Sequence, residues 1–334
     1  MPDKKSVVRS YAFRAAALSA AVAALFCQLS FGETLEDVLR AQRLPLNLES
    51  VQDRDKPITS YAILGNSRDF LIAYYWDDGS GILNQPLRLG HFNKTSGQWN
   101  SVALRSEDNA ATDVDCLGSV TAIHAVADSF YLDIHINPSA GCLLVVSQDL
   151  MVRVSLYGWF LAAFDDGMVA YHNSQVHFAP THPTEISLYD PASNRNVMIY
   201  PAKPAPPIRA EHIRRVRQAY SDEAWCREHN HHCDPELFDS RLAGEVAANS
   251  ATRSLAFVLA FDNSVFWTDA ERAQGSSAYG ASEFTNVLYV YRLGSTPGSF
   301  EFRELLLSDF QTRFGNVPLS KALEPDILRE MFSR

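Results

Sequence analysis

Between Val120 and Tyr200 apolar residues come in runs of five to seven, broken by short polar stretches. The runs are VTAIHAV, FYLDIHI, CLLVVS, MVRVSLY, FLAAF, MVAYH, QVHFA, EISLY and NVMIY. The breaks between them include Asp-Ser, Asn-Pro-Ser-Ala-Gly, Gln-Asp, Asp-Asp-Gly and Asp-Pro-Ala-Ser-Asn. Runs this short, bounded by turn residues, predict strands rather than helices. No helix-length segment intervenes to carry a crossover, so consecutive strands must pair antiparallel, in an architecture that closes or radiates to protect its edges. The rhythm starts at Ile58 with ITSYAIL, DFLIAYYW, PLRLGHF and QWNSVAL, and resumes after residue 249 with SLAFVLAF and SVFWTD.

One pattern recurs. LGHFNKTSGQWNSVAL aligns with ISLYDPASNRNVMIYP: an aromatic residue followed by Asn or Asp, a short polar turn, then a second strand. NVLYVYRLGSTPGSFEFRELLL repeats it with a longer turn and LLVVSQDLMVRVSLY with a tighter one. Taking Phe92, Val146, Tyr189 and Tyr291 as equivalent gives spacings of 54, 43 and 102 residues. The middle value matches the ~40 to 45 residues of a four-stranded propeller blade, and the last leaves room for an insert. The chain thus resembles the β-propeller superfold in general, over about two thirds of its length. The fold class is all-β: a β-propeller of about five blades over residues 58–307, with a helical insert at 201–249. The alternative is a β-sandwich, which the same strands allow. LNLESV, residues 46–51, is expected to supply a strand to the C-terminal blade and close the ring.

The flanking and inserted segments read differently. Thr34-Leu35-Glu36-Asp37 has capping-box spacing and Leu35, Val38 and Leu39 form one apolar stripe, so residues 33–57 comprise a short helix and a connector. The insert opens with Pro201, Pro204, Pro206 and Pro207, a stiff connector. A helix follows with Ile213, Val216 and Tyr220 on one face and Arg209, Arg214, Arg215 and Arg217 largely off it, a local positive patch. A second helix is expected from Asp234-Pro235 through Leu237, Phe238 and Leu242 to Gly244. Residues 308–334 form a mostly polar tail ending in a helix over Pro325 to Phe332.

Composition sets the compartment and the partners. Residues 1–32 place Lys4, Lys5, Arg9 and Arg14 before the apolar run Ala15–Phe26 and small residues at Ser30 and Gly32, the organisation of a signal peptide cleaved near Gly32. The expected location is secreted or periplasmic, with no membrane attachment after cleavage. The formal charge of −10 becomes more negative without this leader, which argues against nucleic acid. Hydrophobic residues at 46% suffice for a large core. Four cysteines remain after cleavage, and an exported chain uses an even set as disulfides. Cys116 and Cys142 flank a two-strand excursion and are expected to pair. Cys226 and Cys233, in CREHNHHC, allow either a disulfide or, with the nearby histidines, a zinc site; oxidising surroundings and adjacent histidines favour the disulfide.

Chemistry is less legible. There is no G-x-S-x-G, H-E-x-x-H, P-loop or G-x-G-x-x-G motif, so no catalytic residue is assigned and no cofactor or metal is expected. Tyr131, Asp133 and His135 alternate along one strand and share a face, as a hydrogen-bonded polar surface or a binding site. Asp77-Asp78-Gly79-Ser80-Gly81 has the composition of a calcium loop without its twelve-residue pattern, and reads as a turn. The expected function is an exported, non-catalytic binding or scaffold propeller for an extracytoplasmic protein or polymer; the alternative is an extracytoplasmic hydrolase or lyase acting on a polymer.

Overall fold

The computed structural model describes residues 32–45, 56–105, 116, 118–137, 140–173, 184–219, 240–263, 284–294 and 298–333. They form four antiparallel four-stranded sheets, each built from one continuous stretch of chain and each with its strands in sequence order. Sheet 1 holds β1 (Ile58–Gly65), β2 (Asp69–Trp76), β3 (Leu87–Asn93) and β4 (Gln98–Leu104). Sheet 2 holds β5 (Ser119–Val126), β6 (Ser129–Asn137), β7 (Ala140–Ser147) and β8 (Val152–Tyr157). Sheet 3 holds β9 (Trp159–Ala163), β10 (Val169–Asn173), β11 (Glu185–Asp190) and β12 (Arg195–Tyr200). Sheet 4 holds β13 (Arg241–Asn249), β14 (Ser254–Asp262), β15 (Phe284–Leu293) and β16 (Phe300–Leu306).

The sheets stack in chain order. Leu71, Ala73 and Tyr75 of β2 face Phe130, Leu132 and Ile134 of β6 in one apolar cluster. The opposite side of sheet 2 meets sheet 3 through Tyr131, Leu143, Val145, Tyr171 and Tyr189. Sheet 3 meets sheet 4 through Ile186, Leu188, Tyr200, Phe257 and Tyr289. Because β2 and β14 are covered on both faces, every residue of β2 and all of β14 but Asp262 is buried, which is why these strands read as unbroken apolar runs instead of alternating ones.

The two ends of the stack are closed by helices. Helix α1 (Leu35–Ala41) buries Leu35, Val38 and Leu39 against Phe70, Ile72 and Tyr74 on the free face of sheet 1. Its expected capping box is present: the Asp37 backbone N–H donates to the Thr34 hydroxyl, and the Thr34 N–H donates to the Asp37 carboxylate at 3.1 Å. At the other end, α3 (Leu307–Phe314), a 3₁₀ turn (Leu319–Leu323) and α4 (Pro325–Phe332) bury Phe310, Leu323, Leu328 and Met331 against Ala256, Val258, Leu288 and Val290. The segment read from sequence as a polar tail is therefore the cover of sheet 4. Among the described residues no core cluster joins sheet 4 to sheet 1, and LNLESV lies outside the described residues.

The four copies of the sequence repeat are the third-to-fourth strand hairpins of the four sheets. Phe92, Val146, Tyr189 and Tyr291 all face the preceding element of the stack, which for Phe92 is the α1 cluster.

One expected element is corrected. The helix extended from Asp234 to Gly244 cannot reach its end, because Arg241–Asn249 is strand β13. Leu242 and Val246 pack half-buried against sheet 3 while Ala243 and Ala247 pack half-buried against the C-terminal helices, so contacts on both faces override the local helix signal. Gly244, read as a helix terminator, instead supplies a positive φ of 83° where the β13–β14 register shifts between Leu242 and Val246. Residues 220–239 lie outside the described residues.

Tyr75 links sheets 1 and 2, its buried hydroxyl donating to the Gly118 carbonyl at 2.7 Å. Burial pushes this hydroxyl up to about 12. The unfolded chain ionises near pH 10 and the folded chain later, so this contribution to stability is complete below pH 10 and is lost as pH rises towards 12. Tyr75→Phe should cost about 1 kcal/mol at neutral pH through the lost hydrogen bond. In urea unfolding, the gap between wild type and variant should narrow from pH 7 to pH 11; a constant gap would contradict the assignment.

Candidate functional site

The face carrying Tyr131, Asp133 and His135 is turned towards sheet 3, and the structure shows what each residue does there. Tyr131 is fully buried, its ring 6.2 Å from that of Phe160 in β9. Burial raises its hydroxyl pKa well above the usual tyrosine range. Asp133 is also buried. One carboxylate oxygen accepts the Phe160 backbone N–H at 2.8 Å, and the other lies 3.0 Å from Nε2 of His124 in β5. The His124 ring stacks on Phe160, centroids 3.8 Å apart and planes 9° from parallel. His135 is half-buried and lies near Trp159, centroids 6.1 Å apart. The Trp159 indole in turn covers Gly141, where a Cβ would stand 2.2 Å from the ring, so only glycine fits beneath it.

Three polar residues chosen from one strand thus become a cross-seam clamp, and the residue the sequence reading missed is His124. It sits in the apolar run VTAIHAV, and the only signal for it was a histidine interrupting that run. With Nε2 donating to Asp133, Nδ1 has no hydrogen-bond partner among the described residues, and the ring is 28% exposed. A carboxylate-oriented imidazole can take or give a proton at Nδ1. The carboxylate beside it is already committed to a backbone N–H of the neighbouring sheet, the signature of a structural link.

A second histidine joins sheets 1 and 2. His91 in β3 is buried, with Nε2 2.9 Å from the Asp69 carboxylate and Nδ1 2.9 Å from the Gln148 carbonyl. The Asp78 carboxylate accepts the Ser80 N–H and hydroxyl and the Gln85 side-chain amide, at 2.7 to 2.9 Å. Its bonds belong to the turn expected at Asp77–Gly81.

The predicted arginine patch is partly rearranged. Helix α2 (Pro207–Ala219) starts at the proline expected for its first position. Arg214, Arg215 and Arg217 are exposed, with Arg214 held to Glu211 at 2.6 Å. Arg209 is corrected: it is 2% exposed, its guanidinium 5.5 Å from the centre of the Tyr200 ring. The reason is the docking of the first turn of α2. Glu304 of β16 accepts the backbone N–H groups of Ile208 and Arg209 at 2.6 and 3.1 Å and the Tyr289 hydroxyl at 2.6 Å. A carboxylate supplied by another strand thus caps the helix, where unpaired N–H groups favour negative charge, and draws Arg209 inward.

Beside this cap lies a groove of about 840 Å³ between β12 and β16, the outermost strands of sheets 3 and 4. Pro201, Pro204, Pro206, Phe300, Phe302 and Met198 line it, and Met198 is 50% exposed. Lys203, Arg303 and Glu304 add charge along it.

Cys116 and Cys142 are joined as a disulfide, their Cα atoms 5.8 Å apart, within the range a disulfide spans. Cys226 and Cys233 lie outside the described residues. No group of three or more His, Cys, Asp and Glu side chains able to hold a metal occurs among the described residues. No helix among them is long and apolar enough to cross a membrane.

No family model matches the chain, and no curated protein matches it. Among solved structures the chain is similar to one from a structural and mechanistic analysis of two prolyl endopeptidases, at 12% identity and a TM-score of 0.29. The match covers 61% of this chain and 24% of that one, so it spans about a quarter of the solved chain's length.

Proposed function

We propose that this protein is an exported, non-catalytic binding or scaffold propeller whose outer rim captures an extracytoplasmic protein or polymer. In this reading its four described sheets are blades of a ring of about five, and the leader over residues 1–32 is removed near Gly32. Support for blades comes from the strand order within each sheet, the stacking in chain order, and the repeat hairpins facing the same way in all four. The observation that carries the function is the groove between β12 and β16: large, mainly apolar, bordered by stiff prolines and carrying a half-exposed methionine. Apolar surface of this kind, rimmed by charge, is what a docking site presents. Binding is favoured over hydrolysis because the two carboxylate–histidine pairs described above, Asp69 with His91 and Asp133 with His124, are built into seams between sheets.

The test is site-specific photo-cross-linking in the native host, with p-benzoylphenylalanine placed at Met198 and, as a control, at Met151, which is 67% exposed on the β7–β8 turn. A discrete protein or polymer adduct at 198 but not 151, on extracytoplasmic protein lacking residues 1–32, is the expected result. Identical adducts at both sites, none at either, or a cytoplasmic protein with its leader intact would overturn the proposal.

A further inference from the structure

A second, smaller pocket lies at the turn end of the seam between sheets 3 and 4, apart from the rim groove. Its volume is about 260 Å³. Met168, Leu188 and Val197 give it apolar walls, and Asp166, Asp190, Arg195 and Arg253 provide the charge. The two sheets are clasped here. The Asp165 N–H donates to the Ser250 hydroxyl at 2.8 Å, and Arg253 donates to the Asp166 carboxylate at 2.6 Å. Arg253 itself holds a left-handed backbone, φ 45°, in the turn before β14. A non-glycine residue keeps that conformation only where its surroundings fix it.

The charges of the pocket do not cancel in their bonding. Asp166 accepts from Arg253 and from the Met168 N–H at 3.2 Å. Asp190 accepts the Ala192 N–H at 3.0 Å and the Ser193 hydroxyl at 2.6 Å. Both carboxylates are therefore engaged. The exposed side chain of Arg195, whose backbone pairs with Asp190 across the β11–β12 hairpin, has no hydrogen-bond or ion-pair partner among the described residues. A guanidinium offers five donors in a planar fork and matches a carboxylate in two-point contact. A guanidinium without a protein partner beside apolar walls, its neighbouring acids still charged but hydrogen-bonded elsewhere, suits a small molecule that pairs a single anionic group with a compact hydrocarbon body.

We infer that this pocket is a binding site for small organic carboxylates with a branched or cyclic apolar body, held by Arg195 and seated on Met168, Leu188 and Val197. The inference is independent of the rim groove.

Methyl NMR on the full mature chain carrying ¹³C at the methionine methyls tests it directly, because Met168 reports on this pocket, Met198 on the groove and Met151 and Met331 on neither. The probes are 4-methylpentanoate, its amide 4-methylpentanamide, and N-acetyl-alanyl-leucine, which presents a similar acid at a peptide end. The expected result is a saturable shift of Met168 alone with 4-methylpentanoate, at least about tenfold weaker for the amide and for Arg195→Gln, the size of one charge-assisted pair. Unchanged Met198 and Met331 signals in Arg195→Gln establish that the variant is folded. No saturable shift, equal response to acid and amide, or undiminished binding in Arg195→Gln overturns the site. So does a response to the acetylated dipeptide alone, which would make the ligand a peptide terminus.

Discussion

Phe257→Ala is expected to destabilise the protein by about 4 kcal/mol, near the upper part of the range for truncating a buried aromatic residue. Phe257 is fully buried in the seam between sheets 3 and 4, its ring 5.6 Å from that of Tyr289 and 5.5 Å from that of Tyr291, both nearly parallel to it. The Tyr200 ring meets it edge-on at 6.2 Å. The cost depends on how far the neighbours can collapse into the space left behind, and here they are tied. The Tyr289 hydroxyl donates to Glu304, and the Tyr291 hydroxyl donates to the Ile199 carbonyl at 3.1 Å. Rings held at both ends cannot swing inward without giving up a hydrogen bond. Phe257→Leu, which refills much of the volume, should lose less than half as much. Chemical denaturation of both variants is the measurement, and a loss under about 2 kcal/mol for the alanine variant would mean that the neighbouring rings do relax.

Replacing Cys116 and Cys142 together by alanine should cost about 3.5 kcal/mol. The bridge closes a loop of 26 residues, and the chain-entropy model gives a stabilisation of that size for such a loop, because the unfolded chain loses freedom that the folded chain never had. Alanine is the better replacement, since both cysteines are buried in the apolar seam between sheets 1 and 2 and a serine hydroxyl there would add its own desolvation penalty. Unfolding by guanidinium without reductant, compared between wild type and the double variant, reads the effect. Equal midpoints would show that the unfolded ensemble is already confined in this region.

Most strands of the described residues were legible because the period of apolar residues and the turn residues both act locally; the expected strands QVHFA and SVFWTD lie outside the described residues. The recurring hairpin was legible for the same reason, and it falls at the same place in every sheet. What escaped were features decided by a neighbour distant in sequence. Arg209 looks solvent-facing on a helical wheel, yet the Glu304 cap and the Tyr200 ring turn it inward. Leu242 and Gly244 carry helix-ending signals, yet contacts on both faces make their segment a strand. Phe310, Leu328 and Met331 are too sparse in a polar segment to announce a cover, and become one only when sheet 4 offers them a face. His124 illustrates the site problem: its carboxylate partner was identified, but their meeting depends on a diagonal across two strands and on the placement of β9.

The helical cover at the C-terminal end has a consequence for how the protein is made. A chain that emerges N-terminus first can complete each sheet as its own stretch appears and dock it on the one before, since every sheet is contiguous and its partner is already present. Sheet 4 is the exception. Among the described residues its outward face of Ala256, Val258, Leu288 and Val290 has no earlier partner and waits for residues 307–332, which follow it in the chain. During synthesis this is the surface left open longest to chaperones, proteases and other nascent chains. A truncation just before Leu307 would fix the protein in that state, with a finished stack and one adhesive end.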